Sequence, residues 1–158
     1  MNAPSVVVIA VESPLSEDMR AMIGELNTTL GSLTPEDANY SMSAEEMAGP
    51  DTSVFVARVD GQAAACGALH RHENAIGELK RFYTRPRFRG LGLARRILDH
   101  VTELAASEGV TRLVLETGHN YDAARRLYEQ SGFNACGPVL DYPESPYSVF
   151  YTRPLRAA

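Results

Sequence analysis

The sequence predicts an α/β fold built on a single mixed, mostly antiparallel sheet flanked by helices. Three features point to it. Asp60-Gly61 sits between two apolar runs, and this dipeptide suits the positive-φ positions of a two-residue hairpin. A polar turn at His72–Ala75 then leads into a third extended run, which makes an antiparallel meander. Finally, a long helical stripe from Leu93 is followed at once by the apolar run Leu113-Val114-Leu115, the order of a strand–helix–strand crossover. A length of 158 residues suits one core better than two, so residues 1–158 are expected to form one domain.

In chain order, Val6–Glu12 is the first predicted strand. Ser13-Pro14 offers an N-cap and a first-turn proline, and Glu17 and Asp18 suit the positive end of a helix. Leu15, Met19, Met22, Ile23, Leu26 and Leu30 recur at helical spacing, and Gly31 is expected to stop this helix. Residues 32–50 are polar and loop-like, with a short helix near Ala44–Met47. Val54–Val59 and Gln62–Leu69 are the hairpin arms, and Glu78–Thr84 is the third strand of the meander, with Glu78, Lys80, Phe82 and Thr84 expected on one face. Arg85, before Pro86, is pushed to extended backbone and opens the loop Arg87–Gly92. The helix Leu93–Glu108 buries Leu93, Ile97, Val101, Leu104 and Ala105 and ends at Gly109. Arg112–Glu116 is a strand covered on both faces and parallel to the one before it. Tyr121–Ser131 is a short helix capped by Gly132. Phe133–Cys136 and Ser148–Arg153 close the sheet, joined by the proline-rich loop Gly137–Tyr147.

Composition narrows the function. The longest apolar run, Val6–Val11, is far short of the roughly 20 residues that span a bilayer, and no basic segment precedes it. A cytoplasmic protein with no membrane partner is expected. Cys66 and Cys136 form no CxxC pair and read as small apolar residues. His70-x-His72 shares a strand face but lacks a third ligand, so no metal is expected. The net charge of −5 argues against a nucleic-acid partner. Within this acidic chain, however, Lys80 to Arg96 holds seven basic residues and no acidic one. A solvated basic face would explain that run, and so would a local anion site.

The sharper reading rests on Arg87-Phe88-Arg89-Gly90-Leu91-Gly92-Leu93-Ala94, between a strand and a long helix. Helix-start N–H groups have no intrahelical partner, the dipole adds positive potential, and glycines let a bulky ligand approach. Together these make a phosphate cradle, with Arg87 and Arg89 in reach of a pyrophosphate. A tight turn before a surface helix is the plainer alternative. A dinucleotide loop is another, since Gly90-x-Gly92 opens a helix and Glu116 ends the next strand where a ribose partner would sit. That reading fails on detail: the third glycine position is Arg95, the preceding strand is too polar, and antiparallel strands come first.

Arg87-x-x-Gly90-x-Gly92 resembles the coenzyme A pyrophosphate loop of the GNAT family of N-acetyltransferases. Leu79–Thr84 before it looks like that family's fourth strand, and Ala124–Phe133 is similar to its A-x-x-L-Y-x-x-x-G-F segment. The blocks appear in the family's order over about residues 50–155, and Ser148–Tyr151 also fits. One departure stands out: the family often places Asn seven residues before the helical tyrosine, where this chain has Tyr121, with Asn120 one residue earlier as the candidate substitute.

The resemblance implies an acetyl-CoA cosubstrate and direct attack by an amine on its thioester. It places the phosphates on Arg87, Arg89, Gly90, Leu91, Gly92, Leu93 and Ala94, and the pantetheine arm beside Phe82 and Thr84, between strands that splay apart. Tyr128 is the implied partner of the leaving thiolate. Glu78 and Glu116 are candidate bases, because freeing an alkyl amine of pKa ~10.4 at neutral pH costs about 4–5 kcal/mol. Tyr40, Tyr142 and Tyr147 are candidate walls for the acceptor, an amine on a small molecule or a peptide. A homodimer is compatible with the resemblance. A non-catalytic acyl-CoA sensor would keep the same phosphate loop, and a nicotinamide-dependent oxidoreductase would bind NAD(H) instead.

Overall fold

The computed structural model describes residues 5–33 and 41–155. Asp60 and Gly61 both take left-handed backbone, at φ 50° and 84°, and join β2 (Thr52–Val59) to β3 (Gln62–Arg71). β1 (Val7–Val11) pairs antiparallel with β2, and β4 (Ile76–Thr84) with β3. β5 (Arg112–Gly118) runs parallel to β4. β7 (Ser148–Pro154) slots antiparallel between β5 and β6 (Asn134–Cys136). The result is one seven-stranded sheet of order β1-β2-β3-β4-β5-β7-β6, the mixed architecture that the hairpin and crossover signals predict.

α3 (Leu93–Ser107) covers one face. It buries Leu93, Ile97, Leu98, Val101 and Ala105 against Leu69, Leu79, Leu113, Leu115 and Tyr151. Each of its large side chains contributes about 1.5–3 kcal/mol by leaving water. α4 (Asp122–Gln130) adds Tyr128 to this core. On the other face, α1 (Glu17–Leu33) and α2 (Ala44–Met47) pack Met19, Met22, Ile23, Leu26 and Met47 on Val54, Val56, Cys66 and Ala68. Further along the sheet, Val114 and Phe150 pack with Val139. Among the described residues no helix is long and apolar enough to cross a membrane.

Both ends of α1 differ from expectation. α1 starts at Glu17 because Ser16, not Ser13, caps it: Ser16 Oγ accepts the Met19 N–H at 3.2 Å, while Ser13 Oγ accepts the Leu15 N–H in a preceding turn. Gly31 does not end α1, which runs on to Leu33. A glycine stops a helix by taking left-handed backbone, and Gly31 does not take it.

Two irregularities shape the functional region. β4 and β5 pair only from Ile76↔Arg112 to Glu78↔Val114, after which their facing edges have no common ladder. In addition, the β3–β4 register passes from Ala68↔Lys80 to Cys66↔Tyr83, so Gly67 alone opposes both Arg81 and Phe82. This is a bulge with the extra residue in β4, and Arg81 takes φ 59°. The bulge overturns the expected strand face. Glu78, Lys80, Arg81 and Tyr83 point to the α1 side, while Leu79 and Phe82 pack toward α3.

Candidate active site

The splay between β4 and β5 opens into a cleft of about 710 Å³. One end is the strand-to-helix loop. Pro86–Phe88 forms a 3₁₀ turn, Gly90 and Gly92 take φ 84° and 72°, and Gly92 opens α3 with no side-chain cap. α1 begins with Glu17 and Asp18, and α2 has a full capping box from Ser43 and Glu46. The first turn of α3 carries no acid and two arginines, Arg95 and Arg96. Its first-turn N–H groups and dipole thus face neither a capping side chain nor an acid of the helix itself, a geometry suited to an anion. Arg89, Gly90, Gly92, Leu93, Ala94 and Arg95 all line this end.

The middle is bounded by the unladdered part of β4, including Phe82 and Thr84, and by Thr117, Gly118 and Asn120 at the end of β5. Backbone groups on the facing edges need partners, which an extended polar ligand lying between them could supply. Tyr128 lines the cleft from α4 with its ring edge-on to Phe82 at 6.4 Å and Phe133 at 5.7 Å. Burial pushes its phenol well above the usual tyrosine range.

The other end lies on the α1 side. Glu78, only 3% exposed, receives the Tyr142 hydroxyl on Oε2, approaches Lys80 Nζ at 3.6 Å, and pairs through Oε1 with His72 Nε2 at 2.8 Å. Lys80 Nζ also donates to Tyr142 Oη at 3.0 Å. Glu78 faces Val114, so Glu116, two residues on, reaches the same side of the sheet. Burial raises the Glu116 carboxyl above its ordinary value, and Glu78 adds to the effect. A hydrogen bond from Ser148 Oγ at 2.7 Å and the Lys80 charge partly offset it. Tyr147 stands over Gly118, where even a Cβ would collide with its ring, and is edge-on to His119 and Tyr121.

The cleft thus gathers Glu78, Glu116, Phe82, Thr84, Arg89, Gly90, Gly92, Leu93, Ala94, Asn120, Tyr128, Tyr142 and Tyr147. Arg87 and Leu91 do not line it. The Arg87 guanidinium donates to Gln62 Oε1 and stacks over Phe88, and Leu91 projects to the exterior. Tyr40 lies outside the described residues. Sequence reasoning missed Lys80 and Arg81 as cleft residues and the contribution of Leu26, Thr29 and Leu30 from α1. The apolar stripe of α1 marked a buried face but not which part of it borders a cavity. His72 was visible as half of His70-x-His72, and its partner proves to be Glu78. Among the described residues no group of three or more His, Cys, Asp or Glu side chains is placed to hold a metal.

The same architecture recurs in known proteins. An acyl-CoA N-acyltransferase structure from Klebsiella pneumoniae superposes with a TM-score of 0.81 at 27% identity, over 95% of this chain and 98% of that one. The chain is 38% identical over 151 residues to an IAA acetyltransferase of Azospirillum brasilense, covering 94% of this chain and 98% of the relative. It is 36% identical over 141 residues to the uncharacterised N-acetyltransferase YsnE of Bacillus subtilis, covering 86% and 93%. The model of the Acetyltransferase (GNAT) family matches residues 19–133, a span from α1 through the loop at the head of α3 to the end of α4. On the fold, the cleft and these matches, the chain belongs to the GNAT family of acetyltransferases.

Proposed function

We propose that the protein transfers an acetyl group from acetyl-CoA to an amine by direct attack within the β4–β5 cleft. The observation that carries this reading is the separation of β4 from β5 beyond Glu78↔Val114, with the uncapped, arginine-bearing start of α3 at one end and two carboxylates at the other. One end suits a diphosphate, the parted edges suit an extended amide-bearing arm, and the far end suits an amine. Acetyl-CoA supplies the electrophilic thioester carbonyl.

Glu116 is the better-placed base. Its carboxyl has the raised pKa that general-base work at neutral pH favours, and it has one donor where Glu78 is held by three side chains. Glu78 instead holds Tyr142 and Lys80 against the acceptor. β4 amides near the bulge can donate to the thioester oxygen as charge builds on it. Tyr128 serves as a hydrogen-bond donor to the departing sulfur. A thiol near pKa ~8.5 is already a stronger acid than a tyrosine near ~10, and burial moves Tyr128 further in the unfavourable direction. The two carboxylates at the acceptor end favour turnover over passive sensing of an acyl-CoA.

A thiol-release assay with acetyl-CoA and a panel of primary amines tests the reading; release with none of them rejects turnover. In the same assay Tyr128→Phe is expected to lower kcat by about 10-fold or more, the loss of roughly one hydrogen bond to a charged atom, while acetyl-CoA affinity stays within about 3-fold. An unchanged kcat at saturating acceptor would remove Tyr128 from the reaction.

A further inference from the structure

β1 is an edge strand whose outer side is open. The Asp60 N–H donates to Val6 O at 2.8 Å and the Glu12 N–H to Val54 O at 2.9 Å, so the even-numbered residues of this stretch turn their main-chain groups inward to β2. Val7, Ile9 and Val11 therefore turn theirs outward, and among the described residues no strand pairs with them. The side chains are just as uncovered. No β1 residue joins the core beneath α1, and Val6, Val8 and Val11 are 62%, 54% and 57% exposed. With Leu15 they make four of the six large apolar side chains exposed among the described residues, so most of that surface lies in one patch.

Open edges are ordinarily guarded by a charge, a proline, a bulge or shortness. The opposite edge of the sheet is guarded: β6 has three residues and is followed by Gly137-Pro138. β1 has five, Val-Val-Ile-Ala-Val, all apolar and in unbroken register with β2.

We propose that β1 is a docking edge for a second copy of this chain, paired antiparallel about a two-fold axis at Ile9 so that the two sheets become one. The strand is complementary to itself in this register. Val7 meets Val11 of the second copy, Val11 meets its Val7, and the two Ile9 residues meet each other, forming roughly six main-chain hydrogen bonds. Val8 packs beside the second copy's Ala10, and the exposed Val11 is covered by its Val7. Glu12 falls opposite Val6, not opposite its own copy, and already pairs with Arg58 at 2.9 Å, so no like charges meet. Any other register leaves part of β1 unpaired. Contact through one short strand is smaller than the roughly 1,200 Å² of stable complexes, so the dimer is expected to be reversible.

Sedimentation from micromolar to millimolar protein should show the mass rising from 17.2 kDa toward twice that value. Val11→Pro is measured beside it. An edge strand tolerates proline where the missing N–H faces solvent, and the ring excludes a facing strand, so this variant should keep its circular dichroism and stay monomeric. A wild type that is monomeric throughout, or a Val11→Pro protein that dimerises equally well, would overturn the inference. Cysteine pairing tests the register without that variant, should it fail to fold. In a Cys136→Ser background, which removes the exposed thiol, Val8→Cys and Ala10→Cys proteins are mixed under mild oxidant. Residues 8 and 10 would face each other in a non-hydrogen-bonded pair, so the mixture should cross-link at least about 10-fold faster than either protein alone. No advantage for the mixture would also overturn the inference. So would exchange-protected Val7, Ile9 and Val11 amides in a monomer, which would give the edge to another segment of the same chain.

Discussion

Glu116→Gln is expected to lower kcat/KM by about 10²–10⁴, the range that a positioned general base contributes. The amide keeps the size of the side chain and can still bond Ser148, so acetyl-CoA affinity should hold. The pH dependence is the more specific signature. A base works deprotonated, so activity should fall as pH drops through the Glu116 pKa, and because that pKa is raised by burial the acid limb should lie above the ordinary 4.5. Glu116→Gln should abolish this limb. Ser148→Ala removes a hydrogen bond that favours the charged carboxylate, so it should move the limb to higher pH. A Glu116→Gln enzyme with full activity and an unchanged acid limb would transfer the role of base to another group.

Gly67→Val is the substitution expected to harm the framework most. A Cβ at Gly67 would stand 2.8 Å from Phe82 Cζ, with the ring edge lying across the strand at the bulge. The ring is packed between the α3 core and Tyr128, so it cannot yield without disturbing both. Overpacking of this kind costs about 1–3 kcal/mol, which for a protein of this size lowers Tm by about 3–10 °C. Because Phe82 and Thr84 form the middle of the cleft, acetyl-CoA binding should weaken as well. Gly24→Ala is the control: its Cβ would meet nothing within 4 Å, and alanine is the better helix residue, so Tm should hold or rise. An unchanged Tm for Gly67→Val would mean that the bulge does not depend on the missing side chain.

Much of this architecture is legible in the residues. The hairpin at Asp60-Gly61 follows from two left-handed positions, and the meander and crossover follow from period-2 and period-3.6 patterning. The loop at Arg87–Ala94 reads as an anion cradle because glycines and a helix start coincide with a run of cations. The β4 bulge is not legible in that way. Leu79-Lys80-Arg81-Phe82-Tyr83 contains no glycine or asparagine to announce a left-handed residue, and the cause lies across the ladder, where Gly67 leaves room for the Phe82 ring. Strict alternation therefore puts Glu78 and Phe82 on one face when the structure sets them on opposite faces. The partners of Glu78 were hidden for a related reason. His72 lies in the adjacent turn and Tyr142 is 64 residues away in a proline-bearing loop, which has no periodicity to reveal where it folds back. Arg87 shows the limit of motif reading, since its side chain is drawn to Gln62 and Phe88 and away from the cleft.

In the proposed function, the start of α3 and the parted edges of β4 and β5 grip coenzyme A. Calorimetric titration of the wild-type protein with acetyl-CoA tests it most directly, paired with hydrogen-exchange protection across residues 80–96 and 115–121. Saturable one-to-one binding is expected, weakened by added salt because phosphates and arginines take part, with new protection confined to those two segments. Absence of saturable heat, or binding with protection elsewhere in the chain, would contradict it.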